Sequence, residues 1–154
     1  PAVEELCKSF TPMANEHRVM LEMQCETLCV HMSQKHVEQL IGNLISNAIK
    51  YNHEGGTVDV LIRRQENLLV ITVEDSGIGI SKEDEKHIFE RFYRVDKGRS
   101  RKIGGTGLGL SIVKHIARYY HGKIDLFSRE NIGTTITITL PDVIVDESSA
   151  DQAA

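Results

Sequence analysis

SQKHVEQLIGNLISNAIKYN, running from Ser33 to Asn52, reads as one helix with two working faces. Val37, Leu40, Ile41, Leu44, Ile45 and Ala48 recur at three- and four-residue steps, the pattern of an apolar helical stripe. Ser33 is the expected N-cap, without a capping box, because His36 stands where the acid would be. At about 100° per residue, Asn43, Asn47, Lys50 and Tyr51 fall on a second face beside the apolar one. Alone, these residues are an ordinary solvated helix face. Lying next to a core rather than opposite it, they also stand where other elements could roof a site.

Later stretches decide between those readings. Glu74-Asp75-Ser76-Gly77-Ile78-Gly79 follows a strand-like run, and Gly104-Gly105-Thr106-Gly107-Leu108-Gly109-Leu110 opens another helix. Ile88-Phe89-Glu90-Arg91-Phe92-Tyr93-Arg94 lies between them. With the Ser33 helix, these motifs resemble the N, G1, F and G2 boxes of the GHKL ATPase superfamily, the F box being that of sensor histidine kinases. The resemblance runs from about Val3 to Pro141. It implies the catalytic ATP-binding domain of a two-component histidine kinase.

Composition agrees with a single domain. The chain has 154 residues, 40% of them hydrophobic and 26% charged, with a net charge of −4. The negative balance gives no support to a nucleic-acid surface. No apolar run approaches the roughly 20 residues of a membrane span, and no signal peptide is visible. The chain starts with Pro rather than Met, so a piece of a longer protein is expected, located in the cytoplasm. Cys7, Cys25 and Cys29 do not complete a zinc pattern and read as reduced thiols packed as small hydrophobes.

Val3 to Ala14 has helical spacing, with Pro12 expected near its end. Arg18–Gln24 and Thr27–Met32 read as two strands of a hairpin. Thr57–Arg63 and Leu68–Glu74 alternate as a second hairpin, with Val58, Val60, Ile62, Leu69, Ile71 and Val73 inward. Ser81 caps a short helix to Phe89, and Tyr93–Ile103 reads as a mobile basic loop. Gly107–Tyr120 is a helix ended by His121-Gly122 with a C-cap glycine. Lys123–Phe127 and Thr134–Leu140 are strands. The expected fold is α/β (α+β), a two-layer sandwich of a mixed, mostly antiparallel sheet with three main helices on one face. The domain is expected to span residues 1–141, and 142–154 to be a disordered acidic tail.

The chemistry starts at Asp75. A carboxylate at a strand end can accept a hydrogen bond from an exocyclic amine, and Gly77 and Gly79 allow close backbone approach. By the resemblance, Asp75 reads the adenine amino group and Asn47 binds Mg2+. The glycine loop from Gly105 opens a helix whose free amides favour phosphate. Thr106 could add a hydroxyl, and Lys50 can meet a phosphate. Tyr51 can pack against the nucleotide, as the resemblance implies. Gly105, Thr106, Gly107, Leu108, Gly109 and Leu110, together with Ile80, Phe89 and Thr134, complete the implied nucleotide site. Arg94, Arg99, Arg101 and Lys102 are the implied cations of a closing loop. Phe89 and Phe92 either pack in the core or, as the resemblance implies, fix that loop and touch the dimerisation helices.

Asn43 stands where related ATPases carry the Glu that activates water, and an amide cannot act as that base. The catalytic set that the resemblance implies is Asn43, Asn47 and Lys50. The implied cofactors are ATP and Mg2+. The implied partners are a histidine-bearing dimerisation domain of the same kinase and a response regulator, not nucleic acid. No histidine here lies in the His-Glu-x-x-x-Pro context of a phosphoacceptor helix. Competing readings are another GHKL ATPase, a serine-kinase-type relative, or an ATP-sensing module without catalysis.

Overall fold

The structure is a computed structural model that describes residues 2–26, 28–80, 82–85, 87–89 and 109–145. Among these, helices α1 (Ala2–Ser9), α2 (Thr11–Glu16), α3 (Gln34–Lys50), α4 (Lys82–Glu85) and α5 (Gly109–Tyr119) accompany seven strands. The strands are β1 (Met20–Cys25), β2 (Cys29–Val30), β3 (Thr57–Gln65), β4 (Leu68–Asp75), β5 (Lys123–Arg129), β6 (Gly133–Pro141) and β7 (Ile144–Val145). Five strands form one sheet in the order β1-β3-β4-β6-β5. Only β1 and β3 run parallel; the other neighbours are antiparallel. This is the expected mixed, mostly antiparallel sheet.

Alternation fixes which face is buried. Val58, Val60 and Ile62 of β3, Leu69, Ile71 and Val73 of β4, and Ile136, Ile138 and Leu140 of β6 share one core. Leu40, Leu44, Ile45 and Ile49 of α3 and Val113 and Ile116 of α5 complete it, each at most 1% exposed. The α3 stripe is therefore the floor of the helix layer. Ser33 caps it as expected: its backbone is extended and its Oγ accepts the His36 N–H at 3.2 Å.

Helices α3 and α5 pack antiparallel. Gly109, which opens α5, lies against Asn43 and Asn47, while Tyr120 at its far end reaches the start of α3. The Tyr120 hydroxyl accepts the Ser33 N–H at 3.1 Å and lies 2.6 Å from His36 Nδ1. Tyr120→Phe removes both contacts and leaves a helix-end amide unpartnered. It should cost about 1–2 kcal/mol, read as a lower urea midpoint at unchanged slope; an unchanged midpoint would show the clasp to be idle.

Four expectations change. The first two strands are not a hairpin. β1 instead pairs parallel with β3, which requires a crossover, and α3 supplies it. β2 leaves the sheet and pairs antiparallel with β7. The N-terminal helix is two helices, with Pro12 in the first turn of α2, where its missing N–H costs nothing. The described chain also continues past Pro141, where the acidic tail was expected to begin: Val143 is 4% exposed and β7 follows it, while 146–154 lie outside the described residues. At the end of α5 the left-handed residue is His121 (φ 60), not Gly122. Gly122 is needed for space, since a Cβ there would sit 2.4 Å from Leu140 Cδ2.

Of the cysteines, Cys7 is buried and Cys25 half-buried, but Cys29 is exposed on β2. Burial, with the neighbouring Cys25 second, pushes the Cys7 thiol up to about 11, so it stays protonated and inert at neutral pH. Among the described residues no helix is long and apolar enough to cross a membrane.

Candidate nucleotide site

Asp75 continues the inward alternation Leu69, Ile71, Val73, so β4 delivers a carboxylate to the end of the core. Burial pushes that carboxyl up to about 6. The backbone N–H groups of Gly77 and Thr134 oppose the rise by donating to it, and Glu74 adds to it. The Gly77 N–H lies 2.9 Å from Asp75 Oδ1. A half-buried, acceptor-only group next to a helix terminus is suited to a neutral N–H donor from a ligand.

The chain after Asp75 is stitched in place on two sides. The Ile78 N–H donates to the Tyr51 carbonyl at 3.1 Å, tying the loop to the end of α3. The Ile80 N–H donates to Ser128 Oγ at 2.7 Å, and the Asn131 N–H donates to the Ile78 carbonyl at 2.7 Å. Gly77 is wedged between Tyr51 and Asp75: a Cβ there would lie 2.5 Å from the Tyr51 oxygen and 2.9 Å from Asp75 Oδ1. Thr134, 8% exposed, is the cross-strand partner of Asp75, and its Oγ1 lies 2.9 Å from Ser128 Oγ. Tyr51, Asp75, Gly77, Gly79, Ile80 and Thr134 are thus one cluster at the strand ends.

The other cluster is where α3 meets α5. A Cβ on Gly109 would lie 3.1 Å from Asn43 Oδ1 and 3.7 Å from Asn47 Nδ2. The two amides therefore face the first turn of α5. Asn43 Nδ2 donates to the Gln39 carbonyl at 2.6 Å, which orients its oxygen outward from that bond. Lys50 lies in the last turn of α3, between the two clusters in sequence. Leu110 packs against the core. Phe89 is not brought to Asp75; it lies along a cleft between α3 and α5. Arg94, Arg99, Arg101, Lys102, Gly105, Thr106, Gly107 and Leu108 lie outside the described residues, as do Phe92 and Ser81.

Three supporting residues were not evident from the sequence. Asn52, 8% exposed, donates to the Thr57 carbonyl at 2.9 Å and accepts the His53 N–H at 2.9 Å, closing the turn after α3. Ser76 Oγ accepts the Thr57 N–H at 2.8 Å. Ser128 sits in an alternating strand, where its hydroxyl looks like one more solvent-facing group. Only the fold makes it the bridge between Ile80, Gly133 and Thr134.

Comparison with known proteins gives one family throughout. Residues 32–144 match the model of the histidine kinase-, DNA gyrase B- and HSP90-like ATPases. The chain is 48% identical over 128 residues to the sensor histidine kinase WalK of Bacillus subtilis, covering 82% of this chain and 21% of that protein. It is 48% identical over 112 residues to the sensor-like histidine kinase SenX3 of Mycolicibacterium smegmatis, covering 73% and 29%. The chain thus spans about a fifth to a third of these relatives. The nucleotide-free catalytic domain of histidine kinase ThkA superposes with a TM-score of 0.77 at 26% identity, covering 92% of this chain and 90% of that one. The mycobacterial sensor histidine kinase MprB superposes with a TM-score of 0.76 at 25% identity, covering 93% and 97%.

Proposed function

The chain belongs to the family of histidine kinase-, DNA gyrase B- and HSP90-like ATPases, and from that premise we propose that it binds Mg-ATP and supplies the γ-phosphoryl group for phosphorylation of a histidine on a separate dimerisation domain. The observation that carries the nucleotide assignment is Asp75, an acceptor held half-buried with its carboxyl raised to about 6. Such a group favours a ligand that brings an N–H donor, as adenine does at its exocyclic amine. Guanine presents a carbonyl there, which a carboxylate repels.

Asn43 favours phosphoryl transfer over hydrolysis. Its Nδ2 is committed to Gln39, and an amide takes no proton from water at neutral pH. Asn47 offers a neutral oxygen, a hard ligand suited to Mg2+, which keeps waters and takes phosphate oxygens for the rest of its shell. One amide is no metal cage, so the ion would arrive with the nucleotide. The ion's chemistry when bound is neutralisation of charge on the phosphates. The residues of this chain orient the nucleotide: Asp75 at the base, the α5 N-terminus and Lys50 toward the phosphates. The acceptor domain, a response regulator downstream and a cytoplasmic setting belong to the same proposal.

Calorimetric titration tests it. ATP with Mg2+ should bind saturably and GTP at least tenfold more weakly. Asn47→Ala should lose roughly tenfold or more in affinity with Mg2+ present, and much less with the metal chelated. No acid-labile radiolabel should accumulate on this chain alone. A folded chain that ignores ATP would end the nucleotide reading.

A further inference from the structure

One end of the sheet carries a polar row where the rows behind it are apolar. Across β4, β6 and β5, Ile71, Ile138 and Ile124 stand side by side in register, and Val73, Ile136 and Leu126 form the next row. Asp75, Thr134 and Ser128 form the third. Alternation puts all three rows on the core-facing side of the sheet. Side chains opposite one another in such rows have Cβ atoms about 4.5–5.5 Å apart. Thr134 is buried, at 8% exposure, and Ser128 is half-buried.

The two hydroxyl protons of this row can be placed by counting partners. Ser128 Oγ has three: the Ile80 N–H at 2.7 Å, the Gly133 carbonyl at 3.1 Å and Thr134 Oγ1 at 2.9 Å. An N–H can only donate and a carbonyl can only accept, so Ser128 accepts from Ile80 and gives its one proton to Gly133. Thr134 must then donate to Ser128. The Ser128 hydroxyl is thereby saturated, with one bond donated and two accepted. The Thr134 hydroxyl has committed its proton and presents only lone pairs. The groups that donate to the Asp75 carboxyl are the backbone N–H groups of Gly77 and Thr134.

We infer that Ser128 is a specificity-determining positioning residue: by taking the Thr134 proton it keeps the Thr134 hydroxyl an acceptor beside the Asp75 carboxylate, so that two neighbouring acceptors meet the base. The role rests on the nucleotide reading above. An exocyclic amine brings two N–H donors, one for each acceptor. A base that lacks the amine leaves both unmet, and a carbonyl in that place faces lone pairs on both sides. Without the Ser128 hydroxyl, the Thr134 proton is released to the neighbouring carboxylate, where it competes with the ligand's amine. The Ile80 N–H, which anchors the loop after Asp75, loses its acceptor at the same time.

The test compares ATP with purine riboside triphosphate, which lacks only the exocyclic amine, by calorimetry with Mg2+ at pH 7. The wild-type chain should bind ATP about tenfold or more tightly than the amine-free analogue. Ser128→Ala should cut that ratio severalfold. Ser128→Thr, which keeps the hydroxyl at a strand position suited to threonine, should restore it. Thr134→Val should cut the ratio as well, and Ser128→Ala added to Thr134→Val should cut it no further, because one residue acts through the other. Partial unfolding weakens both triphosphates alike, so the ratio does not follow stability. A ratio unchanged in Ser128→Ala, or cut further in the double variant than in Thr134→Val, would overturn the role of Ser128 while wild-type ATP binding stood. A folded wild-type chain that bound neither triphosphate would overturn the nucleotide reading, and the role of Ser128 with it.

Discussion

Asp75→Asn should weaken ATP binding by about 10- to 100-fold, the loss that follows from removing one charge-assisted partner in a half-buried site, without weakening the unliganded protein at pH 7. The first half follows from donor and acceptor counting. The carboxylate accepts backbone N–H bonds from Gly77 and Thr134 and retains acceptor capacity for a ligand amine. An amide has one oxygen, and its NH2 group would face a donor. The second half follows from the pKa. A folded-state carboxyl near 6, against 3.8 for the ordinary group, means that the fold favours the protonated form. The stabilisation from protonation is fully present below 3.8 and is lost as the pH rises through about 6. Asparagine resembles the protonated form at every pH. The melting temperatures of variant and wild type should therefore converge below pH 4 and separate in the variant's favour above pH 6.

The same residue predicts how binding follows pH. At one unit below a carboxyl pKa near 6, only about a tenth of Asp75 is ionised. Binding of adenosine, which carries no titrating phosphate, should fall about tenfold between pH 7 and pH 5, followed by chemical-shift titration. A flat profile would remove Asp75 as the base reader even if Asp75→Asn were defective for other reasons.

The sequence carried the local periodicities well. The α3 stripe, the Ser33 cap and the β3–β4 hairpin each rest on residues within one or two turns of one another, so their spacing is visible in the chain. What it concealed was partner choice. Arg18–Gln24 alternates like any edge strand, and nothing local says that its neighbour is β3, reached across the whole of α3, rather than the next strand. Pro12 marks a helix boundary, but a proline marks starts as well as ends. β7 is two residues long and pairs with β2, far away in the sequence. At the site, Asn43, Asn47 and Asp75 were legible because helix period and strand alternation both aim side chains. Ser128 and Asn52 were not, because their value lies in backbone groups brought from elsewhere in the fold.

Gly79→Ala should destabilise the protein by about 3 kcal/mol or more, and ATP binding should disappear with the fold rather than before it. Gly79 has φ 70, and a Cβ built there would lie 2.0 Å from the Arg129 carbonyl oxygen and 2.9 Å from Glu130 Cα. Those neighbours are backbone, so no side chain can swing aside. The left-handed conformation costs an alanine about 1–2 kcal/mol and the overlap about 1–3 more, against a total stability of roughly 5–15. Gly55→Ala separates the two contributions. Gly55 has φ 85 with nothing within 4 Å, so only the conformational part of about 1–2 kcal/mol remains. The difference between the two variants in urea unfolding isolates the clash with the β5–β6 turn. Glycine's conformational freedom suggests that this residue lets the backbone approach a ligand. The geometry puts another strand's backbone in that place, with Ile78 and Ile80 on either side already bonded to Asn131 and Ser128. An alanine variant as stable as wild type that nevertheless failed to bind ATP would restore the ligand-approach role. Loss of both together assigns Gly79 to holding the loop that follows Asp75 against β5 and β6, and so to setting where the Asp75 carboxylate points.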